Sequence, residues 1–175
     1  MKFTEEWFSQ ASQDALAELA GSTDGLNGAV IEVGCWEGRS TIALANAVFP
    51  DPVHAVDTWQ GSPGEISHDL ARERDVYATF AANIAEATDG NVTPHRMGWR
   101  EFLRDWDDPI RFVHIDATHT YDEVAANIVA VQPHMVPGGI ICGDDAHHEP
   151  IREAVRDTLG NAYLTASLWH WRFDG

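Results

Sequence analysis

The segment Ala29–Ser40, AVIEVGCWEGRS, constrains this chain more than any other. β-Branched Val30, Ile31 and Val33 favour a buried strand, interrupted only by Glu32. Gly34 and Gly38 bracket a tight loop, and Ile42, Ala43, Ala45 and Ala47 beyond Ser40 give a small-residue helix able to cover the strand. Strand, loop and helix start in that order present unpaired backbone N–H groups above the strand's carboxyl end, a cradle for an anion or polar ligand.

The loop's spacing narrows the ligand. A dinucleotide site wants G-x-G-x-x-G, whose second glycine lets the backbone approach a pyrophosphate, and here that position holds Trp36. The phosphate loop G-x-x-x-x-G-K-[ST] fails as well, because Gly34 and Gly38 stand one residue too close. A ligand with one carboxylate and an adenosine fits better, namely S-adenosylmethionine: loop N–H groups would take the carboxylate, and Asp57 would accept both ribose hydroxyls. A purely structural strand-to-helix turn is the competing reading of this motif.

Along the chain, Thr4–Ala20 carries Phe3, Trp7, Phe8, Ala11, Leu16 and Leu19 at helical spacing, a leading helix that packs on the domain or covers the ligand. Strands are expected at Val53–Val56, Asn91–His95, Arg111–Asp116 and Ile140–Cys142, with a final hairpin over Ala162–Leu164 and Leu168–Phe173. Helices are expected over Asp69–Ala87, Trp99–Trp106, Tyr121–Val131 and Ile151–Leu159. The loop Asp57–Asp69, DTWQGSPGEISHD, offers Trp59 as an exposed aromatic beside the ligand. Alternating strands and helices require right-handed crossovers, and hence an α/β fold: a Rossmann-like, doubly wound, seven-stranded and mostly parallel sheet with helices on both faces.

The 28 acids stand against 11 bases, a formal charge of −17, and the only lysine is Lys2. Nucleic acid and anionic membranes are therefore not expected partners, and a small neutral or cationic acceptor is. An acid-rich surface is equally consistent with a saline habitat. No apolar run of about 18 residues and no charged-then-apolar leader is seen, so a single cytoplasmic domain spanning 1–175 is expected. Cys35 and Cys142 are expected free and reduced, and the scattered His54, His68, His95, His114, His134 and His170 have no zinc-like spacing.

Four stretches together carry a resemblance: EVGCWEGRS at 32–40, VDTWQGS at 56–62, HIDATHTYDEV at 114–124 and PGGIICGDD at 137–145. In this order and spacing they resemble the class I S-adenosylmethionine-dependent methyltransferases, within the macrocin-type and glycosyltransferase-associated O-methyltransferase group. The resemblance covers about residues 28 to 160. It implies that Gly34, Trp36, Gly38 and Ser40 shape the methionine-binding turn, that Glu32 steadies that loop or the methionine ammonium, and that Asp57 with Trp59 holds the ribose side. Gly98 and Trp99 would border the adenine, and the fold would end in an antiparallel strand. It further implies a methyl transfer to a hydroxyl of a small, sugar-like acceptor such as a glycoside. Thr118 departs from the group, many of whose members have an acid there, and no long insertion follows Asp145. Any lid over the acceptor must come from the first helix or from a neighbouring subunit of a homo-oligomer.

Asp116, Asp144 and Asp145 fall at the ends of the fourth and fifth strands, where three carboxylates repel one another unless protonated or neutralised by a cation. Hard oxygen ligands suit Mg2+, with Mn2+ or Ca2+ as substitutes, while the competing reading makes Asp144 a helix cap. By the resemblance Asp116 also borders the cofactor, and His119 can reach an acceptor hydroxyl as a base. His147 and His148 form a second candidate pair, although adjacent loop histidines are commonly solvated. The function expected is a divalent-cation-assisted O-methyltransferase; the alternative classes are a non-catalytic S-adenosylmethionine-binding module and a nicotinamide oxidoreductase on a degenerate loop.

Overall fold

The computed structural model describes all 175 residues. Seven strands, β1 (Ala29–Val33), β2 (Val53–Asp57), β3 (Val92–Arg96), β4 (Ile110–Ile115), β5 (Met135–Gly143), β6 (Tyr163–Thr165) and β7 (Leu168–Arg172), form one sheet in the order β3-β2-β1-β4-β5-β7-β6. The first five are parallel, and β7 runs antiparallel to both β5 and β6. This is the expected α/β architecture, with the terminal hairpin at one edge.

Strand alternation sorts the core into two layers. Ile31, Val33, Val113, Ile115 and Ile141 pack with Phe102 and Leu103 of α5 (Trp99–Arg104), Ile128 of α6 (Tyr121–Val131) and Ile151 of α7 (Glu149–Leu159). On the opposite face Val30, Phe112, Ile140 and Cys142 pack with Leu16 of α1 (Gln10–Gly21) and Leu44 of α2 (Arg39–Val48). α3 (Ile66–Glu73) and α4 (Val76–Ala87) complete the fold, and Val76 and Phe80 of α4 bury Cys35 and Ala55. No helix is long and apolar enough to cross a membrane. Both cysteines are buried and free, and burial pushes both thiols well above their ordinary pKa.

Several boundaries differ from expectation. The leading helix starts at Gln10 rather than Thr4, because Ser9 caps it by accepting from the Ser12 N–H and the preceding residues are bonded elsewhere. The expected helix Asp69–Ala87 begins earlier, at Ile66, and is broken: Arg74 is extended, and Asp75 caps α4 through the Ala78 N–H. The break frees the Arg74 guanidinium for Glu5 and Glu37. β5 reaches back to Met135 through the Pro137-Gly138-Gly139 segment, and the pairing with β4 shifts register there.

Candidate active site

The strand order reverses between β1 and β4, and a cavity of ≈ 1120 Å³ opens there, above the carboxyl ends of β1, β2, β4 and β5. One wall is the loop after β1. Gly34 and Gly38 both sit at φ 88°, and the left-handed backbone continues at Trp36 (φ 46°). An ideal Cβ on Gly34 would lie 2.0 Å from the Asp116 carbonyl oxygen, so the loop lies directly on the end of β4.

Asp57 organises this wall. Its Oδ2 accepts from the backbone N–H of Cys35 at 2.8 Å and of Trp36 at 3.0 Å, while Oδ1 accepts from Trp59 N–H at 2.6 Å. Burial pushes its pKa upward, against those three bonds. Two of the loop N–H groups expected to meet a ligand carboxylate are thus already taken, and the Gly34 and Gly38 N–H groups bond to Val56 and Cys35 carbonyls. Arg39 and Ser40 of α2 remain on the cavity wall.

Trp59 does not line the cavity, contrary to the exposed position expected of it. It is 4% exposed, packs edge-on to Tyr77 and against Phe80, and donates its indole N–H to the Trp36 carbonyl at 2.8 Å. An indole adjoining that apolar cluster gains more from burial than from solvent contact, and its one polar atom finds an acceptor. Glu32 is 0% exposed and also stays behind the wall, accepting from the Thr41 hydroxyl and the His114 ring at the sheet interior. Gly38 faces Phe80 and Ile84, whereas Gly34, Trp36, Ser40, Asp57, Gly98 and Trp99 reach the cavity.

The far wall carries charge. His119 Nε2 lies 3.1 Å from Asp145 Oδ2 and 3.4 Å from Asp116 Oδ1, while Glu65 accepts both the His119 backbone N–H and its Nδ1 at 3.1 Å. Burial alone would depress the His119 pKa; the hydrogen bond and charge of Asp116, with the charges of Glu65 and Asp145, raise it to about 9. Burial likewise opposes ionisation of Asp116, but the His119 bond and the His114 and His119 charges hold its pKa below the usual range. Asp144 turns aside and accepts from the Ser167 hydroxyl, its pKa pushed up by burial and by Asp116. The donor atoms that converge are those of Asp116, His119 and Asp145, all within 4.8 Å of one another. Carboxylates closing around an imidazolium form a place built for positive charge, and their donor set fits a divalent cation.

Three contributors take their roles from long-range contacts; the sequence singles out Thr118 and the aromatics of the leading segment, but not Glu65. Glu65 orients His119 from a loop with no catalytic spacing. Thr118 bonds with Ser62, whose hydroxyl also donates to the Ala117 carbonyl, tying the β2 and β4 loops together. Residues 2–8 form a strap over the first wall. Phe3, Glu5, Trp7 and Phe8 line the cavity, Trp7 lies 5.4 Å from Trp36 between ring centroids, and Glu5 binds Arg74 and the Trp36 indole N–H. A cover over this wall thus comes from the segment before α1.

A sheet in this order with β7 reversed, and a glycine loop and an acid at the ends of β1 and β2, defines a class I S-adenosylmethionine-dependent methyltransferase fold. A family model described as a methyltransferase domain matches residues 31–146, and the chain belongs to that family. Similar solved structures include the O-methyltransferase NovP, with TM-score 0.69 and 19% identity over 93% of this chain and 79% of that one. The O-methyltransferase TomG from Streptomyces achromogenes, involved in tomaymycin synthesis and solved with S-adenosylmethionine, gives TM-score 0.71 and 16% identity over 95% of this chain and 81% of its own. CalS11, a TDP-rhamnose 3'-O-methyltransferase of calicheamicin biosynthesis, gives 0.66 and 15% over 96% and 83%. At these identities the likeness concerns the fold. No curated protein matches the sequence significantly.

Proposed function

We propose that this methyltransferase carries the methyl group of S-adenosylmethionine to a hydroxyl of a small, sugar-like acceptor. The observation that carries the reading is the cavity itself, whose Gly34–Asp57 wall and Asp116–His119–Asp145 wall face one space of ≈ 1120 Å³. That volume is at the upper end of, or beyond, the roughly 300–1,000 Å³ of single-ligand sites, which suits two reactants side by side. TomG was solved with S-adenosylmethionine, and CalS11 methylates a nucleotide sugar, so donor and acceptor of this kind are compatible with the fold.

In this reading Asp57 keeps the loop in shape and offers its remaining lone pair to the ribose. Arg39 and Ser40 take the methionine carboxylate, and Gly98 and Trp99 border the adenine. His119, aimed by Glu65, receives the hydroxyl proton as the methyl moves. Direct displacement asks little more of the protein than alignment of the reactants and removal of that proton. A divalent cation held by Asp116 and Asp145, with Asp144 beside them, would acidify the acceptor hydroxyl.

The test is product formation with a panel of glycosides, with and without chelator, together with calorimetry of S-adenosylmethionine binding to Asp57→Ala. That variant unpairs three backbone donors, each costing roughly 1–3 kcal/mol when left buried and unmade, and is expected to weaken cofactor binding at least about tenfold. A folded Asp57→Ala protein with unchanged affinity would sink the cofactor assignment. Binding without turnover on any acceptor would favour the non-catalytic module.

A further inference from the structure

The turn after β5 carries two histidines that the proposed reaction does not use. The Asp145 carbonyl accepts from the His148 N–H at 2.9 Å, closing the turn, and the Ala146 N–H is fixed to the Ser167 carbonyl of the following hairpin at 2.9 Å. Asp145 itself sits at φ 58°. Its carboxylate is thereby split between two neighbours: Oδ2 faces His119, while Oδ1 faces His147 Nε2 at 3.7 Å. The His147 and His148 rings lie 4.4 Å apart between centroids at 76°, and one donor atom from each of Asp145, His147 and His148 falls within a 4.8 Å circle. All three side chains line the cavity.

Capping does not explain this arrangement. His148 occupies the N-cap position of α7, yet its side chain makes no cap bond, and the first turn of that helix holds Pro150. Two donors on one ion with bonds of about 2.1 Å stand roughly 3.4 Å apart at tetrahedral angles. The donor atoms stand within 4.8 Å of one another, and His147 and His148 are both exposed, so their rings can turn to draw the set closer.

We infer that Asp145, His147 and His148 form a transition-metal site, separate from the oxygen-lined place between Asp116 and Asp145 and joined to it through the two oxygens of Asp145. Two imidazole nitrogens and one carboxylate suit Zn2+, Fe2+, Co2+ or Ni2+, whereas Mg2+ keeps oxygen ligands and water. Three protein ligands leave open positions that face the cavity, the pattern of a reactive rather than a purely structural site. The inference rests on the turn's geometry and holds whether or not methyl transfer to a sugar is the reaction.

Titration of the metal-stripped 175-residue chain with Co2+, in excess Mg2+, tests it. The expected result is one equivalent of Co2+ bound with the visible absorption of a low-symmetry, nitrogen-ligated ion. His147→Ala and His148→Ala should each weaken that binding by at least about tenfold, as the loss of even a supporting group does at metal sites. His119→Ala should leave it in place. Failure to exceed the weak absorption of aqueous Co2+ would overturn the site, as would a signal lost in His119→Ala but retained in both other variants. S-Adenosylmethionine calorimetry on the same samples reads the methyltransferase reading separately, because neither exposed histidine contributes to the cofactor wall.

Discussion

Replacing His119 with alanine is expected to lower turnover at least about a hundredfold with acceptor and Mg2+ saturating, while S-adenosylmethionine affinity stays near that of the parent. General-base catalysis supplies about 10²- to 10⁴-fold, and the ring touches only the acidic wall of the cavity. The ring's electrostatics sharpen the expectation. With its pKa raised to about 9 it is an imidazolium at neutral pH and cannot accept a proton. Neutralising the field of Asp116 and Asp145 returns it toward its ordinary range, so the base should act only when those two carboxylates are occupied by a cation. The rising limb of the pH profile should therefore belong to the metal-loaded enzyme and vanish in His119→Ala.

The same shift has a thermodynamic signature in chelator. A histidine whose folded-state pKa lies above its unfolded value near 6.5 contributes stability that is complete below that value and is lost as pH rises through about 9. The melting midpoint of the metal-free parent should fall between those limits, and His119→Ala should flatten the fall. Retention of more than about a third of parental turnover in His119→Ala would remove it from the role of base.

Gly34→Ala should be more damaging still. A Cβ there meets the Asp116 carbonyl oxygen at 2.0 Å and its carbon at 2.4 Å, both main-chain atoms of the adjoining strand end, and the residue must also keep φ 88°. Neither side can yield without moving the ligand loop away from the acidic wall, so cofactor binding should fall below detection even where the chain folds. Gly64 provides the control: it shares φ 87° but has nothing within 4 Å, so alanine there costs only the backbone term of about 1 kcal/mol. Equal melting temperatures and affinities for the two variants would show that the close approach at Gly34 is not what shapes the site.

The sheet was readable because its signals are local. Val30, Ile31, Val53 and Ile140 stand in short apolar runs punctuated by glycine and proline, and each strand lies within a few residues of its expected place. The acid positions were readable for a related reason, since Asp57, Asp116 and Asp144 each follow directly on such a run. The hydrogen bonds that hold each acid in place were not. Asp57 looks identical in sequence whether or not it also binds N–H groups of the neighbouring loop, because the Cys35 and Trp36 donors are brought to it only by the pairing of β1 with β2, while Trp59 N–H is a local donor. Trp59 misled for the same reason: a tryptophan in a Gly- and Ser-rich loop reads as exposed, and only the placement of α4 supplies the Phe80 and Tyr77 faces that bury it. Glu65 and the strap depend on contacts spanning 54 residues or, for Lys2 with Asn83, 81.

The strap is gripped in a way that bears on how such chains can diverge. Asn83 accepts from the Lys2 N–H and donates to the Lys2 and Glu37 carbonyls, while Glu37 takes the Thr4 N–H as well as its hydroxyl. At Lys2 the clamp reads main chain alone, so the residue there is free to drift across homologues without loosening the cover. The constraint falls on Asn83, which lies outside the cavity, so a comparison of descendants should find it retained while Lys2 varies.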